Sequence, residues 1–393
     1  MTTRFPLATS SWDQAEQDAL KRVIDSDMYS MGPEVSAFEK EFAAFFGSNY
    51  AVMVNSGSSA NLLMTAALFY TKNDKLRLQP GDEIIVPAVS WSTTYYPLSQ
   101  YGLVQKFVDI DRHTLNYDLD ALASAVTDKT RAIMIVNLLG NPNDFERINE
   151  IINGRDIVLL EDNCESMGAT FKGKLTGTFG HVGSFSTFFS HHIATMEGGV
   201  VTTDDEELYH IMLSMRSHGW TRHLPKENHV TGTKSDDPFE ESFNFVLPGF
   251  NLRPVEMSGA LGREQLKKLP DLIEGRQKNA RVFQDKLSNH PVFELQQETG
   301  ESSWFGFSLL LRENCGIDRK SFVQKLVNAG FEVRPVVAGN FVKNPVMQHI
   351  PHEIHGTLIN AEYIDKNGLF VGNHHYPIDE AADVLSRISS CPS

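Results

Sequence analysis

Short apolar runs alternate with helically spaced segments along most of this chain. Between residues 12 and 30, Ala15, Leu20, Val23 and Ile24 recur at helical intervals, and the pattern stops at Met31-Gly32-Pro33, a turn signal. Val35, Phe38, Phe42, Phe45 and Phe46 then repeat at the same period up to Gly47, so a second helix is expected there with its aromatic stripe in the core. The run 50–54 predicts a strand, residues 55–61 a Ser/Gly turn, and 62–69 an apolar helix. Further strands are expected at 81–88, 104–108, 132–136 and 157–160, with a helix starting near 89–96.

The stretch from Gly183 to Gly199 predicts a Ser/Phe-rich strand, a polar turn with two adjacent histidines, and a Gly-Gly pair leading into a strand over 200–203. A helix with Leu208, Ile211, Met212 and Met215 follows, and then residues 223–242, polar and without a period, which read as an excursion or flexible loop. A long helix is predicted from 255 past Pro270 to 287. Beyond it, strands at 305–311 and 331–335 flank a helix at 319–329, and a last helix covers 379–388.

Strands alternating with helices predict an α/β fold with a mostly parallel central sheet. The expected division is a large domain over 1–265 and a linking helix with a smaller α+β C-terminal domain over 266–393. In such sheets ligands bind beyond the carboxyl ends of the strands, where the 56–61 turn, Trp91 and Asp162 fall.

Composition narrows this picture by exclusion. The 393 residues are 41% hydrophobic and 22% charged, ordinary for a globular enzyme. A net charge of −15 argues against nucleic acid as a partner, which requires a basic footprint. Cys164, Cys315 and Cys391 are scattered, as reduced thiols are, and three cysteines cannot supply a four-cysteine zinc or iron-sulfur site. No metal is therefore expected. With no apolar run of spanning length and no signal-like N-terminus, the expected location is the cytoplasm, away from membranes.

Two stretches carry candidate chemistry. A Ser/Gly turn at a helix N-terminus, Ser56-Gly57-Ser58-Ser59-Ala60, offers free N–H groups and hydroxyls to a phosphate. The pair His191-His192 alone would read as a polar loop, although an imidazole at a strand end can move protons near neutral pH.

Together with these, Glu161-Asp162 followed by Gly168-Ala169, Gly183-x-Phe185-Ser186, Glu197-Gly198-Gly199, His218-Gly219 and Gly249-Phe250-Asn251-x-Arg253 resemble, over nearly the whole chain, the nucleotide-sugar aminotransferase/dehydratase family. That resemblance implies a pyridoxal 5'-phosphate (PLP) enzyme of fold type I, like aspartate aminotransferase. It implies that Gly57, Ser58, Ser59 and Ser186 hold the phosphate, Trp91 stacks on the pyridine ring and Asp162 faces the ring nitrogen. It also implies that Asn251 reaches the cofactor of a neighbouring subunit in a homodimer with a shared active site.

One position departs from the family pattern. Where its members have the Schiff-base lysine, this chain has His191, a substitution that marks a branch of sugar 3-dehydratases. An imidazole cannot make that covalent bond, so the cofactor would be held by non-covalent contacts alone. The resemblance then implies that L-glutamate converts PLP to pyridoxamine 5'-phosphate. A GDP-linked 4-keto sugar would lose its 3-hydroxyl with His191 as base, and ammonia would leave. Ser190 and Glu165 are candidates for orienting base and ring, His218 for assistance at the 3-hydroxyl or in hydrolysis, and Arg222, Arg253 and Arg334 for diphosphate or sugar oxygens; His192 is expected to be structural. The competing readings are a dehydratase or aminotransferase for another nucleotide-linked keto sugar, and a non-catalytic protein that kept the fold.

Overall fold

The computed structural model describes residues 3–388; Cys391 lies outside them. An eight-stranded sheet forms the centre. Its strands in spatial order are Tyr50–Val54, Gly199–Thr203, Val182–Ser186, Val158–Asp162, Thr130–Val136, Glu83–Pro87, Val104–Val108 and His352–Ile354. Gly199–Thr203 runs antiparallel to both of its neighbours, and every other pairing is parallel. Successive side chains of a strand point to opposite faces. Accordingly Ile84, Val86, Ala132, Met134, Val158 and Leu160 enter one hydrophobic core, and Ile85, Ile133, Ile135 and Leu159 enter another on the far side. Burial on both faces explains why these strands read as continuous apolar runs.

The aromatic stripe lies in the core, as its spacing predicts. Helix Pro33–Phe46 begins with Pro33 in its first turn, and the Glu256 carboxylate accepts from the free N–H groups of Gly32 (2.6 Å) and Glu34 (2.5 Å). Phe42 and Phe46 pack on Phe185 at 5.1 and 4.7 Å between ring centroids, which fixes the strand that ends in Ser186. The helix Glu256–Leu287 runs unbroken through Pro270.

A second, four-stranded antiparallel sheet is formed by Phe293–Glu294, Gly306–Leu311, Gly368–Gly372 and Val333–Arg334. Ala280, Phe283 and Leu287 of the long helix share its core. The expected division at 265/266 falls within that helix, and the chain returns from the small sheet to pair His352–Ile354 with Val104–Val108.

Several elements go beyond the pattern. The periodless residues 223–242 contain a hairpin, Glu227–Asn228 with Gly232–Thr233, and the short helix Pro238–Glu241. Two-residue strands are too short to show a period, and this turn is set locally: Asn228 Oδ1 accepts from the N–H groups of Val230 and Thr231. Helices Leu119–Ala125, Phe145–Ile152 and Ile359–Asn367 and strand Gly368–Gly372 are also additional. Among the described residues, no helix is long and apolar enough to cross a membrane, and no group of three or more His, Cys, Asp or Glu is placed to hold a metal ion.

Candidate active site

Asp162 is the last residue of the strand Val158–Asp162 and is buried. Its Oδ2 accepts from Asn61 Nδ2 (2.9 Å) and Thr94 Oγ1 (2.7 Å), and its Oδ1 from the Cys164 N–H (3.2 Å). Three elements thus converge on one carboxylate, and Asn61 is itself oriented by Ser184 Oγ at 2.5 Å. Glu161, one residue earlier, points to the opposite face. It accepts the N–H groups of Gly177, Phe179 and Gly180, and burial holds its pKa above the usual carboxylate range against the pull of those bonds.

The Ser56 hydroxyl caps helix Gly57–Ala67 by accepting from the Ser59 N–H at 3.1 Å. A Cβ on Gly57 would lie 2.6 Å from Ser186 Cβ, and one on Gly199 2.3 Å from the Ser56 carbonyl oxygen. Glycine at both positions lets this turn press against the strand ends. The approach brings the helix N-terminus, the Ser58 hydroxyl (3.0 Å from Thr93 Oγ1) and Ser186 to one wall. Ser59 is not among the residues that line the cavity; it lies one helical step farther round and its hydroxyl donates to Asn55 Oδ1 at 2.6 Å.

These groups line a cavity of about 630 Å³, a size typical of cofactor sites. Trp91 lines it together with Asp162 and is 57% exposed. Leu7, Ala8, Phe305, Glu332, Arg334 and Phe370 complete the mouth. Arg334 pairs with Glu332 at 2.8 Å.

Ser190 and His191 also line the cavity. His191 is half-buried and its Nδ1 is shut off from solvent without a partner. Burial pushes its pKa down to about 4; a hydrogen bond involving Phe188 opposes the shift and the Arg276 charge adds to it. Glu165 shows the reverse behaviour. Burial, assisted by the like charge of Asp162, raises its carboxyl to about 7, although Oε2 accepts from the Leu139 N–H at 3.1 Å. The cavity therefore holds an imidazole kept neutral and a carboxyl able to carry a proton at the same pH, a combination suited to acid-base chemistry. His192 is buried against the Ser303 carbonyl, 3.1 Å from Nε2.

His218, Arg222, Asn251 and Arg253 are gathered elsewhere. The His218 ring meets Trp220 edge-on at 5.2 Å, the Arg222 and Arg253 guanidinium groups lie 4.2 and 5.7 Å from the Trp220 ring centre, and Arg253 Nε donates to Asn251 Oδ1 at 3.0 Å. None of the four lines the cavity of its own chain. Conversely, the cavity uses residues that the pattern did not single out. Asn61 ends the expected 55–61 turn and Thr94 falls in the helix expected near 89–96, but Phe305 gives no sequence signal of its contact with His191, 5.2 Å between ring centroids.

The residues present fit pyridoxal phosphate. A glycine cradle that a Cβ would fill sits at a helix N-terminus, an exposed indole faces the cavity, and a fixed carboxylate lies on its floor.

Comparison with known proteins agrees. The profile of the DegT/DnrJ/EryC1/StrS aminotransferase family matches residues 10–388. The chain is 63% identical, over 385 residues, to the GDP-4-keto-6-deoxy-D-mannose 3-dehydratase of Escherichia coli O55:H7, covering 98% of this chain and 99% of that protein. A solved structure of GDP-4-keto-6-deoxymannose-3-dehydratase with a trapped PLP-glutamate geminal diamine superposes with a TM-score of 0.96 at 62% identity, covering 98% of this chain and 99% of that one. A histidine-to-asparagine mutant of that enzyme with bound GDP-perosamine gives the same TM-score, identity and coverage.

Proposed function

The chain belongs to the DegT/DnrJ/EryC1/StrS aminotransferase family, and from that premise we propose that it is a PLP-dependent 3-dehydratase. Its substrate is GDP-4-keto-6-deoxy-D-mannose, which it converts to GDP-4-keto-3,6-dideoxy-D-mannose, the precursor type for colitose in O-antigen. L-Glutamate is the amino donor and ammonia is released. The observation that carries this reading is the base position: His191 stands in the cavity wall, and among the described residues that line the cavity there is no lysine.

When bound, pyridoxal phosphate supplies an electron-withdrawing pyridinium ring and, after taking the amino group of glutamate, an amine that engages the 4-keto carbon of the sugar. The chain does the rest. The helix N-terminus at Gly57 with the hydroxyls of Ser58 and Ser186 holds the phosphate. Trp91 covers one face of the ring, and Asp162, held by Asn61 and Thr94, keeps the ring nitrogen protonated. With the cofactor in place, His191 would take the proton from its methylene carbon and could pass it to the departing 3-hydroxyl, which would leave as water. A lysine there would hold the cofactor covalently and favour a stable aminosugar; an imidazole cannot. Glu165 holds a proton at its carboxyl near neutral pH and can donate it to an anionic oxygen of the bound group. Arg334 offers its guanidinium to substrate oxygens at the mouth.

The reading includes a homodimer. Asn251, Arg253, Arg222 and His218 form a cationic, aromatic cluster around Trp220 outside the cavity of their own chain, and Phe243 and Phe245, which pack on it, are exposed. In the proposed dimer this cluster completes the neighbouring subunit's cavity, where Asn251 reaches the cofactor phosphate.

One assay tests the function. Incubation with PLP, L-glutamate and GDP-4-keto-6-deoxymannose should release 2-oxoglutarate and ammonia in equal amounts. Accumulation of a stable aminosugar, or no turnover, would overturn the assignment.

A further inference from the structure

His191 is braced from behind by the segment Ser303–Phe305. The Phe305 ring lies 5.2 Å from His191 and 5.8 Å from His192, and the Ser303 carbonyl meets His192 Nε2 at 3.1 Å. This segment is strained: Trp304 has φ +48°, in the left-handed region that residues with a Cβ rarely hold unless fastened. The fastening on one side is main-chain, Ser303 N–H to Gly140 O (3.0 Å) and Phe305 N–H to Leu139 O (3.1 Å). On the other side it is Arg276. Its Nη1 donates to the carbonyls of Phe305 (3.0 Å) and Asn373 (2.9 Å), with Trp304 O at 3.5 Å. Asn373 Nδ2 donates to Trp304 O (2.9 Å) and returns to Arg276 O (3.1 Å).

Arg276 is itself unusual. It is 93% buried, its Nε has no partner, and no carboxylate pairs with it among the described residues. A guanidinium remains charged at all relevant pH values, and burying one without an anion is unfavourable. Because it does not line the cavity, direct contact with substrate does not account for it.

We propose that Arg276 is a positioning residue for the base: it fastens the Trp304–Phe305 turn so that Phe305 braces the His191 ring, and it sets beside that imidazole a positive charge that no carboxylate neutralises. The proposal rests on His191 being the base of the reaction above. The other titratable groups around His191 are His192 on its own loop and, among the residues lining the cavity, Asp162, Cys164, Glu165, Glu197, Glu332 and Arg334. Burial is the larger cause of the neutral state of His191, and Arg276 deepens it; His192, His374 and His375 feel the same cation.

Two variants separate the roles. Arg276→Gln removes the charge, and Arg276→Lys keeps the charge but loses the planar fork. The readouts are the pH profile of kcat/KM in the PLP-loaded enzyme and the NMR titration of the His191 imidazole in the cofactor-free protein, assigned with His191→Asn. In Arg276→Gln both the acid limb and the His191 titration should move up, lowering kcat/KM below the limb beyond any uniform loss. In Arg276→Lys the limb should stay while kcat falls at every pH.

A limb and titration that do not move in the Gln variant, or that move equally in the Lys variant, overturn the proposal. If the Gln variant does not fold, Phe305→Leu must reproduce the pH-independent fall in kcat of Arg276→Lys; normal kcat in Phe305→Leu overturns it. Full dehydratase activity in His191→Asn would instead remove the base assignment, and the NMR titration would still read the effect of Arg276 on the imidazole.

Discussion

Two regions of this molecule hold the residues expected to do chemistry, and they differ in how completely one chain finishes them. In the cavity, the floor is closed: Asp162 has three donors from three elements, and the Gly57 turn is packed tightly enough on Ser186 that a Cβ would not fit. In the cluster around Trp220, Arg222 and Arg253 rest on an indole, Asn251 is held by Arg253, and two phenylalanines beside them face solvent. The first region is preorganised to hold a flat, phosphorylated, ring-protonated group. The second presents cations and aromatic surface outside that cavity, with Arg222 at the edge of a separate open groove. Preorganisation for the cofactor is thus built within one chain, whereas in the proposed homodimer this second set of contacts would depend on assembly.

The contrast is sharpened most by the base. His191→Asn removes the only proton carrier at that wall position and should lower production of both ammonia and 2-oxoglutarate by about 10²–10⁴-fold, with PLP affinity retained. His191→Lys should bind PLP covalently, with an absorbance change that borohydride makes permanent. Absence of an adduct would mean that position 191 does not face the cofactor's aldehyde carbon. Asp162→Asn removes the charge opposite the ring nitrogen and leaves Asn61 and Thr94 competing for a weaker acceptor. A fall in kcat of about 10²–10³-fold is expected, with weaker PLP binding in an equilibrium titration. A change confined to KM for the sugar would remove Asp162 from the electronic role.

The comparison also marks what the residue pattern could reveal. The parallel sheet was legible because strands buried on both faces leave apolar runs such as 157–160. The turn at the start of helix Gly57–Ala67 was legible because a helix N-terminus leaves Ser and Gly at fixed offsets, and the place of His191 in the cavity wall because it is counted from Ser186 and Gly198-Gly199. Partners distant in sequence were not. Phe305 and Arg276 act on His191 through packing and carbonyl hydrogen bonds, which place no demand on local spacing. Adjacent serines in a helical turn point about 100° apart, so Ser58 lines the cavity while the Ser59 hydroxyl turns to Asn55, a difference that the Ser/Gly pattern alone does not show. The strand His352–Ile354 was missed because its three residues show no period, and its place in the large sheet is set by pairing with Val104–Val108.

The smallest expected effect tests the division between the regions most directly. Asn251→Ala should weaken PLP binding by about tenfold, since one neutral hydrogen bond to a charged group is lost. At limiting cofactor it should leave little activity. If Asn251 serves the neighbour's cavity, chains carrying His191→Asn and chains carrying Asn251→Ala are defective in different halves of a shared site. In a random mixture half of the dimers are mixed, and each mixed dimer contains one site with both residues intact. Refolding the two variants together should therefore restore about a quarter of wild-type activity, measured as ammonia release at limiting PLP. If Asn251 serves its own chain, every site in the mixture carries one lesion or the other, and activity stays at the mean of the two variants.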